Sequence, residues 1–368
     1  MRVLHVYAGN LFGGVETFLI TLAKCRNECP GMEPHFALCF EGRLSVELGK
    51  LGVPVHRLSP ARVSRPWTIL RARRDLARLL RKADFDVVVC HGCWVQALLG
   101  PVVRKAGKRL VFWCHDILNG KNWLERWAGH VRPDQIITNS RFAAVSVGSV
   151  YPRRECAVVY YPVLAPNVAD PLLIRERIRK ERGVSADTRV ILQVSRMEPW
   201  KGHKNLVRTL AEIKDHPGWV CWIVGGAQRP GERKYLAELQ KMVHCLGLEE
   251  RIVFFGQRHD VAELMCAADV FCQFNASPEP FGIVFIEALY AGLFIFSVRT
   301  GPMQELYGDY RGARLLSPGD PKEAAFAIKD FLEKRIQAPS VDEIRGKARS
   351  LCSPARQLEQ CRRAIEGR

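Results

Sequence analysis

The segment Ser277-Pro278-Glu279-Pro280-Phe281-Gly282-Ile283-Val284-Phe285-Ile286-Glu287-Ala288-Leu289-Tyr290-Ala291-Gly292 leaves the chain little freedom. It opens as a proline-rich loop and, from about Gly282, reads as a helix that is apolar nearly all round, with Glu287 its one charge. A helix of that kind has to lie between other layers of structure. An unpaired carboxylate within it is costly, so Glu287 needs hydrogen-bond donors, which the hydroxyls of a ligand could supply. Phe281 and Gly282 stand where the helix begins, and the free amides and dipole of that end suit a phosphate. Gly282 also lets such a group approach the backbone closely. Glu279 lies at the tip of the loop, just outside the amide cluster. The plainer reading, a core helix with an incidental glutamate, leaves the charge unexplained.

The rest of the chain alternates strands with helices, the pattern of parallel βαβ units. Arg2 to Tyr7 reads as a strand, followed by a glycine loop containing Gly13 and Gly14 and by a helix to about Cys29. Strand, glycine loop and helix start together make a site for an anion or for close backbone approach, although the G-x-G-x-x-G spacing is not met. Further strands are expected at His35 to Phe40, Val53 to Leu58, Asp86 to Cys90, Arg109 to Cys114 and Gln135 to Asn139. The strand ending at Cys114 delivers His115 and Asp116 at its carboxyl end, where open α/β sheets bind ligands. Asp84-Phe85-Asp86 has the D-x-D spacing of a metal motif, but it precedes its strand, so we read it as a strand entry. Ser140 is placed to cap the helix that follows. Prolines from Pro162 to Pro171 mark a hinge. Beyond it a second series begins with the strand Arg189 to Ser195, which carries Arg196 and, five residues on, Lys201-Gly202. Two cations on one strand-end loop can bridge a diphosphate and stabilise the charge that grows on it as it departs.

The length of 368 residues fits two domains, and the apolar content of 48% and charged content of 25% are those of an ordinary globular protein. The net charge of +17 favours an anionic partner. A nucleic-acid role would rest on that charge alone, because no recognisable module accompanies it. Thirteen cysteines scattered through apolar strands and helices read as reduced thiols, and Cys90-His91-Gly92-Cys93 lacks the second pair that zinc requires. No secretory leader is expected, since Met1 to Ala8 already reads as a strand. Pro66 to Lys82 reads as a helix with Trp67, Leu70, Leu76, Leu79 and Leu80 inward and with Arg71, Arg74, Arg78 and Arg81 as a cationic stripe. That stripe suits either a solvated face or contact with an anionic membrane.

The string Glu279-Pro280-Phe281-Gly282 with Glu287 and Gly292 resembles the E-x7-E element of family-4 retaining glycosyltransferases of the GT-B fold. The spacing of Arg196 and Lys201 is similar to the family's phosphate clamp, His115 to a histidine beside the transferred sugar, and Gly13-Gly14 to an N-terminal loop against the donor diphosphate and acceptor. The likeness extends over nearly the whole chain. It implies two Rossmann-like doubly wound domains facing across a cleft: an acceptor-side domain over 1–165, a nucleotide-sugar donor domain over 166–350, and a terminal helix within 351–368 that returns to the first.

The implied activity is transfer of a hexosyl unit from a nucleotide-diphosphate sugar to a glycan, lipid-linked or small-molecule acceptor, with retention. It needs neither metal nor cofactor beyond the nucleotide-sugar co-substrate. His115, Glu279, Arg196 and Lys201 are the expected catalytic residues, and Gly13, Gly14, Phe281, Gly282 and Glu287 the expected donor contacts. A cytoplasmic enzyme of cell-envelope or polysaccharide biosynthesis, peripheral at the inner membrane face through its arginine stripe, is the corresponding expectation. The alternative is a non-catalytic protein on the same scaffold that binds a sugar or a polyanion.

Overall fold

A computed structural model describes residues 1–9 and 13–367. Asn10, Leu11 and Phe12 of the first glycine loop lie outside the described residues. The chain divides into two compact units, Met1–Leu164 with Cys352–Arg368, and Ala165–Leu351.

The first unit holds strands β1 (Arg2–Tyr7), β2 (Glu33–Leu38), β3 (Val55–Arg57), β4 (Val87–His91), β5 (Arg109–Cys114), β6 (Gln135–Thr138) and β7 (Ala157–Val158). They form one parallel sheet in the order β3-β2-β1-β4-β5-β6-β7. The run Val87-Val88-Val89 is buried throughout, as a central strand covered on both faces must be. Asp84 and Asp86 sit at the amino end of that strand. Asp84 bonds Lys108 at 2.8 Å, and Asp86 accepts from the Arg2 amide at 2.6 Å. Both carboxylates thus serve the sheet's entry edge.

The second unit holds β8 (Arg189–Val194), β9 (Trp219–Val224), β10 (Ile252–Gly256), β11 (Val270–Gln273), β12 (Phe294–Val298) and β13 (Ala313–Leu316), parallel in the order β10-β9-β8-β11-β12-β13. In both sheets the strand order reverses beside the unit's first strand, and the crevice at the carboxyl ends there is the binding position of doubly wound folds. The fold is two Rossmann-like α/β domains. Trp219, Leu239 and Phe296 belong to one buried cluster of the second unit, and Leu4, Leu76 and Leu99 to one of the first.

The helix Pro66–Lys82 differs from its sequence reading. Ile69, Ala72, Leu76 and Leu80 are buried, whereas Trp67 is 56% and Leu70 61% exposed. A continuous stripe of three- and four-residue steps through 69, 72, 76 and 80 fixes the inward face, and it leaves 67 and 70 pointing outward. The terminal helix Pro354–Glu366 belongs to the first unit, where the Ile365 carbonyl accepts from Arg109 Nε at 3.1 Å. All thirteen cysteines are free thiols. Among the described residues, no helix is long and apolar enough to cross a membrane.

Candidate functional site

The carboxyl end of β8 runs into a short turn, Pro199–Lys201, and then a helix, His203–Ala211. Gly202 joins them with φ +74°, and a Cβ there would stand 1.7 Å from the Phe274 carbonyl oxygen. Only glycine can bring this loop so close to the end of β11. Gln193 Nε2 donates to the Lys201 carbonyl at 2.9 Å, and the Ala276 amide donates to that of Trp200 at 2.8 Å. The lysine is thereby fixed from both sides.

Lys201 Nζ lies 2.6 Å from Glu279 Oε2, both side chains largely buried, and 3.9 Å over the Trp200 ring. Asn275 Nδ2 donates to the same glutamate oxygen at 3.3 Å. Arg196 Nη2 is 3.1 Å from Glu198 Oε2, which also accepts from Trp200 Nε1 at 2.9 Å. Arg196, Lys201 and Glu279 are therefore brought together. Glu198, Trp200 and Asn275, which the sequence reading did not single out, complete the group. Their signal was present as further polar residues on the same two strand-end loops.

Three residues beyond Glu279, Gly282 has φ +90° and precedes the helix Ile283–Ala291, presenting the first-turn amides. Gly301 supports the loop: a Cβ on it would meet the Glu279 carbonyl at 2.7 Å. Phe281 is buried. Glu287 is partly accessible but closely surrounded, and it makes no hydrogen bond or ion pair among the described residues; burial raises its pKa to about 7. It is a carboxylate without donors, as its place in the helix foretold.

In the first unit the Gly13 amide donates to Glu16 Oε2 at 2.8 Å, and Tyr7 Oη donates to Glu16 Oε1 at 2.8 Å. Glu16 thus satisfies the Gly13 amide, leaving Gly14 as the glycine that opens the helix Gly14–Lys24. His115 sits in a buried chain. His5 Nδ1 is 2.9 Å from His91 Nε2, His91 Nδ1 is 2.8 Å from His115 Nε2, and His115 Nδ1 contacts Tyr161 Oη. The histidines occupy adjacent strands β1 and β4 and the end of β5, which is why their rings stack at centroid spacings of 5.2 and 5.1 Å. Both His115 nitrogens are engaged within the protein. Burial holds His5 and His115 near pKa 3 and His91 well below its usual value, so the chain is neutral.

The family model for glycosyltransferase family 4 matches residues 12–163, and that for group 1 glycosyl transferases matches residues 174–350. The chain belongs to glycosyltransferase family 4. This glycosyltransferase is 29% identical over 293 residues to the GDP-mannose-dependent alpha-(1-6)-phosphatidylinositol monomannoside mannosyltransferase of Mycolicibacterium smegmatis, covering 73% of this chain and 74% of the relative. It is 26% identical over 298 residues to the mouse alpha-1,3/1,6-mannosyltransferase ALG2, covering 72% and 69%. The crystal structure of Anabaena HepE in complex with UDP and glucose superposes with a TM-score of 0.87 at 23% identity over 100% of both chains, which establishes the GT-B fold.

Proposed function

We propose that this glycosyltransferase moves a hexosyl unit from a nucleotide-diphosphate sugar to a glycan, a lipid-linked sugar or a small-molecule acceptor, with retention of configuration. Lys201, Arg196 and the amides following Phe281 and Gly282 take the diphosphate. Glu287 takes the ribose hydroxyls, which supply the donors it lacks, and Glu279 orients the sugar. His115 and the Gly13-Gly14 loop serve the acceptor side. The anomeric carbon–oxygen bond to the diphosphate breaks as the bond to the acceptor oxygen forms on the same face, and the acceptor proton passes to the departing phosphate. Positioning and charge stabilisation by Lys201 and Arg196 supply most of the rate, with no divalent ion in that role.

The single observation that carries this reading is the Lys201–Glu279 pair at 2.6 Å, three residues before the Gly282 helix start. A panel of nucleotide sugars scored by thermal shift and by donor hydrolysis tests it, with EDTA added in a parallel series and the anomeric configuration of the product read by NMR. Absence of a shift with every nucleotide sugar would overturn it. Full activity only with a divalent ion would remove the metal-independent step.

Both relatives named above are mannosyltransferases, one of them named for phosphatidylinositol monomannoside, which supports a role in glycan or envelope assembly. The exposed Trp67 and Leu70 beside Arg71, Arg74, Arg78 and Arg81 support peripheral contact with an anionic membrane, since apolar anchors and cations then share one helix. Equal flotation with neutral and anionic vesicles would remove that contact.

A further inference from the structure

In the first unit an open pocket of about 520 Å³ lies at the carboxyl ends of β1, β4 and β5. Its chemistry is mixed in a specific way. Phe40 and Trp94, with ring centroids 6.3 Å apart, supply an aromatic wall. Asp116 lines it with a carboxylate that makes no hydrogen bond or ion pair among the described residues. That carboxylate is open to the pocket yet surrounded by protein, and burial together with Glu125 raises its pKa. Arg62 lines it with a guanidinium that is likewise without a partner. The backbone of Arg62 is nonetheless held: its amide donates to Thr68 Oγ1 at 2.9 Å, and its carbonyl accepts from the Arg65 amide at 2.9 Å. Gly92, Cys93 and Trp94 also line the pocket and form the first turn of the helix Gly92–Lys105, so a third, positively polarised group faces the same space.

A neutral sugar uses the aromatic wall and the carboxylate, but it leaves the arginine and the helix start without a counterpart. An anion alone leaves the wall and Asp116 unused. We propose that this pocket takes an acceptor whose sugar or polyol ring lies against Trp94 and Phe40, gives its hydroxyls to Asp116, and carries a phosphoryl group for Arg62 and the first amides of that helix. The inference deepens the acceptor side of the function proposed above and rests on that reading for the word acceptor. Binding to the pocket does not depend on it. The same chemistry is offered by a soluble sugar phosphate and by a phosphorylated lipid headgroup.

The test is binding to the full chain, by calorimetry, of glucose, glucose 1-phosphate and glucose 6-phosphate, with flotation on vesicles of phosphatidylinositol in phosphatidylcholine against phosphatidylcholine alone. At least one phosphate is expected to bind about tenfold or more tighter than glucose, the scale of one charge-assisted contact. Arg62→Gln should erase that preference while leaving glucose binding in place, and Asp116→Asn should weaken glucose and both sugar phosphates. An Arg62-dependent preference for phosphatidylinositol vesicles over the soluble phosphates assigns the lipid source, and the reverse assigns the soluble one. Binding of nucleoside diphosphates, measured on the same samples, reports the second unit. Its loss would sink the transferase reading without touching this one. Equal affinity for glucose and both phosphates, no binding of any probe, or a preference that survives Arg62→Gln overturns the proposal.

Discussion

Lys201 and Glu279, 78 residues apart in the sequence, meet at 2.6 Å with their side chains 12% exposed each. The carboxyl end of β8 and the loop after β11 are neighbours in the sheet, so a lysine from one and a glutamate from the other reach the same point. Truncating either partner strands a charge in a poorly hydrated place and, under the proposed function, also removes a contact to the donor. Lys201→Ala and Glu279→Ala should each abolish transfer and lower the thermal midpoint, the loss being up to about 3 kcal/mol for a pair this buried. The double variant Lys201→Met with Glu279→Ala should recover much of that stability with no recovery of activity. Thermal melts of the three variants check it, and a double variant less stable than both singles contradicts it.

Glu287 predicts an exchange of stability for function. Its pKa of about 7 lies above the unfolded carboxyl value near 4.5, so its contribution is fully present below pH 4.5 and is lost as pH rises toward 7. The difference corresponds to roughly 3 kcal/mol at most. Glu287→Gln should therefore flatten the fall in stability between pH 5 and 8, making the variant the more stable protein at pH 8, while weakening nucleotide binding. Urea melts at the two pH values, with calorimetry of a nucleoside diphosphate, read both effects.

The histidine chain predicts the opposite pH sense and a proton arrangement. His5 and His115, with pKa values depressed to about 3, stabilise the fold above the ordinary histidine value near 6.5 and lose that contribution as pH falls toward 3. His91→Phe should make unfolding of the first unit less dependent on pH between 6 and 4. In a neutral chain every ring carries one proton, and all must point the same way. Among the described residues His5 Nε2 is buried without a partner, and an orphaned N–H is rarer than an orphaned acceptor. All three rings should therefore carry the proton on Nδ1. Nitrogen-15 shifts of labelled histidine would show three Nδ1-protonated imidazoles, and an Nε2-protonated His91 contradicts the arrangement.

Gly202 offers a local test. Gly202→Ala combines φ +74° with a Cβ 1.7 Å from a backbone carbonyl, whereas Gly183→Ala, at φ +63°, has nothing within 4 Å. The second should cost about 1 kcal/mol for backbone strain alone. The first should cost several times as much and displace Lys201, with donor hydrolysis lost in parallel. Equal thermal shifts in the two variants contradict this.

Much of the fold was legible because parallel strands buried on both faces are written as continuous runs such as Val87-Val88-Val89, and strand-end loops as glycine and charge. The short edge strands β7 and β13 carry no such run, and Ala313–Leu316 is half covered. The acid, the lysine and the helix start of the second unit were readable from Glu279, Lys201 and Gly282 because each is punctuated by proline or glycine. Trp67 and Leu70 were misplaced because an exposed aromatic or leucine looks the same in sequence as a buried one. His5 and His91 were invisible as a group: nothing along the chain states that β1, β4 and β5 lie side by side. The engagement of both His115 nitrogens follows only from that neighbourhood.

In the proposed function, Lys201 and Glu279 of the second unit, with Glu287 eight residues on, hold a nucleoside diphosphate sugar for transfer. The most direct test is the affinity of the wild-type chain for UDP and GDP beside that of Lys201→Ala and Glu287→Gln. At least one nucleotide should bind, with affinity weakened roughly 10- to 100-fold by the loss of Lys201, the range of a charged hydrogen bond, and weakened also by Glu287→Gln. Unchanged affinity in both variants would contradict that reading.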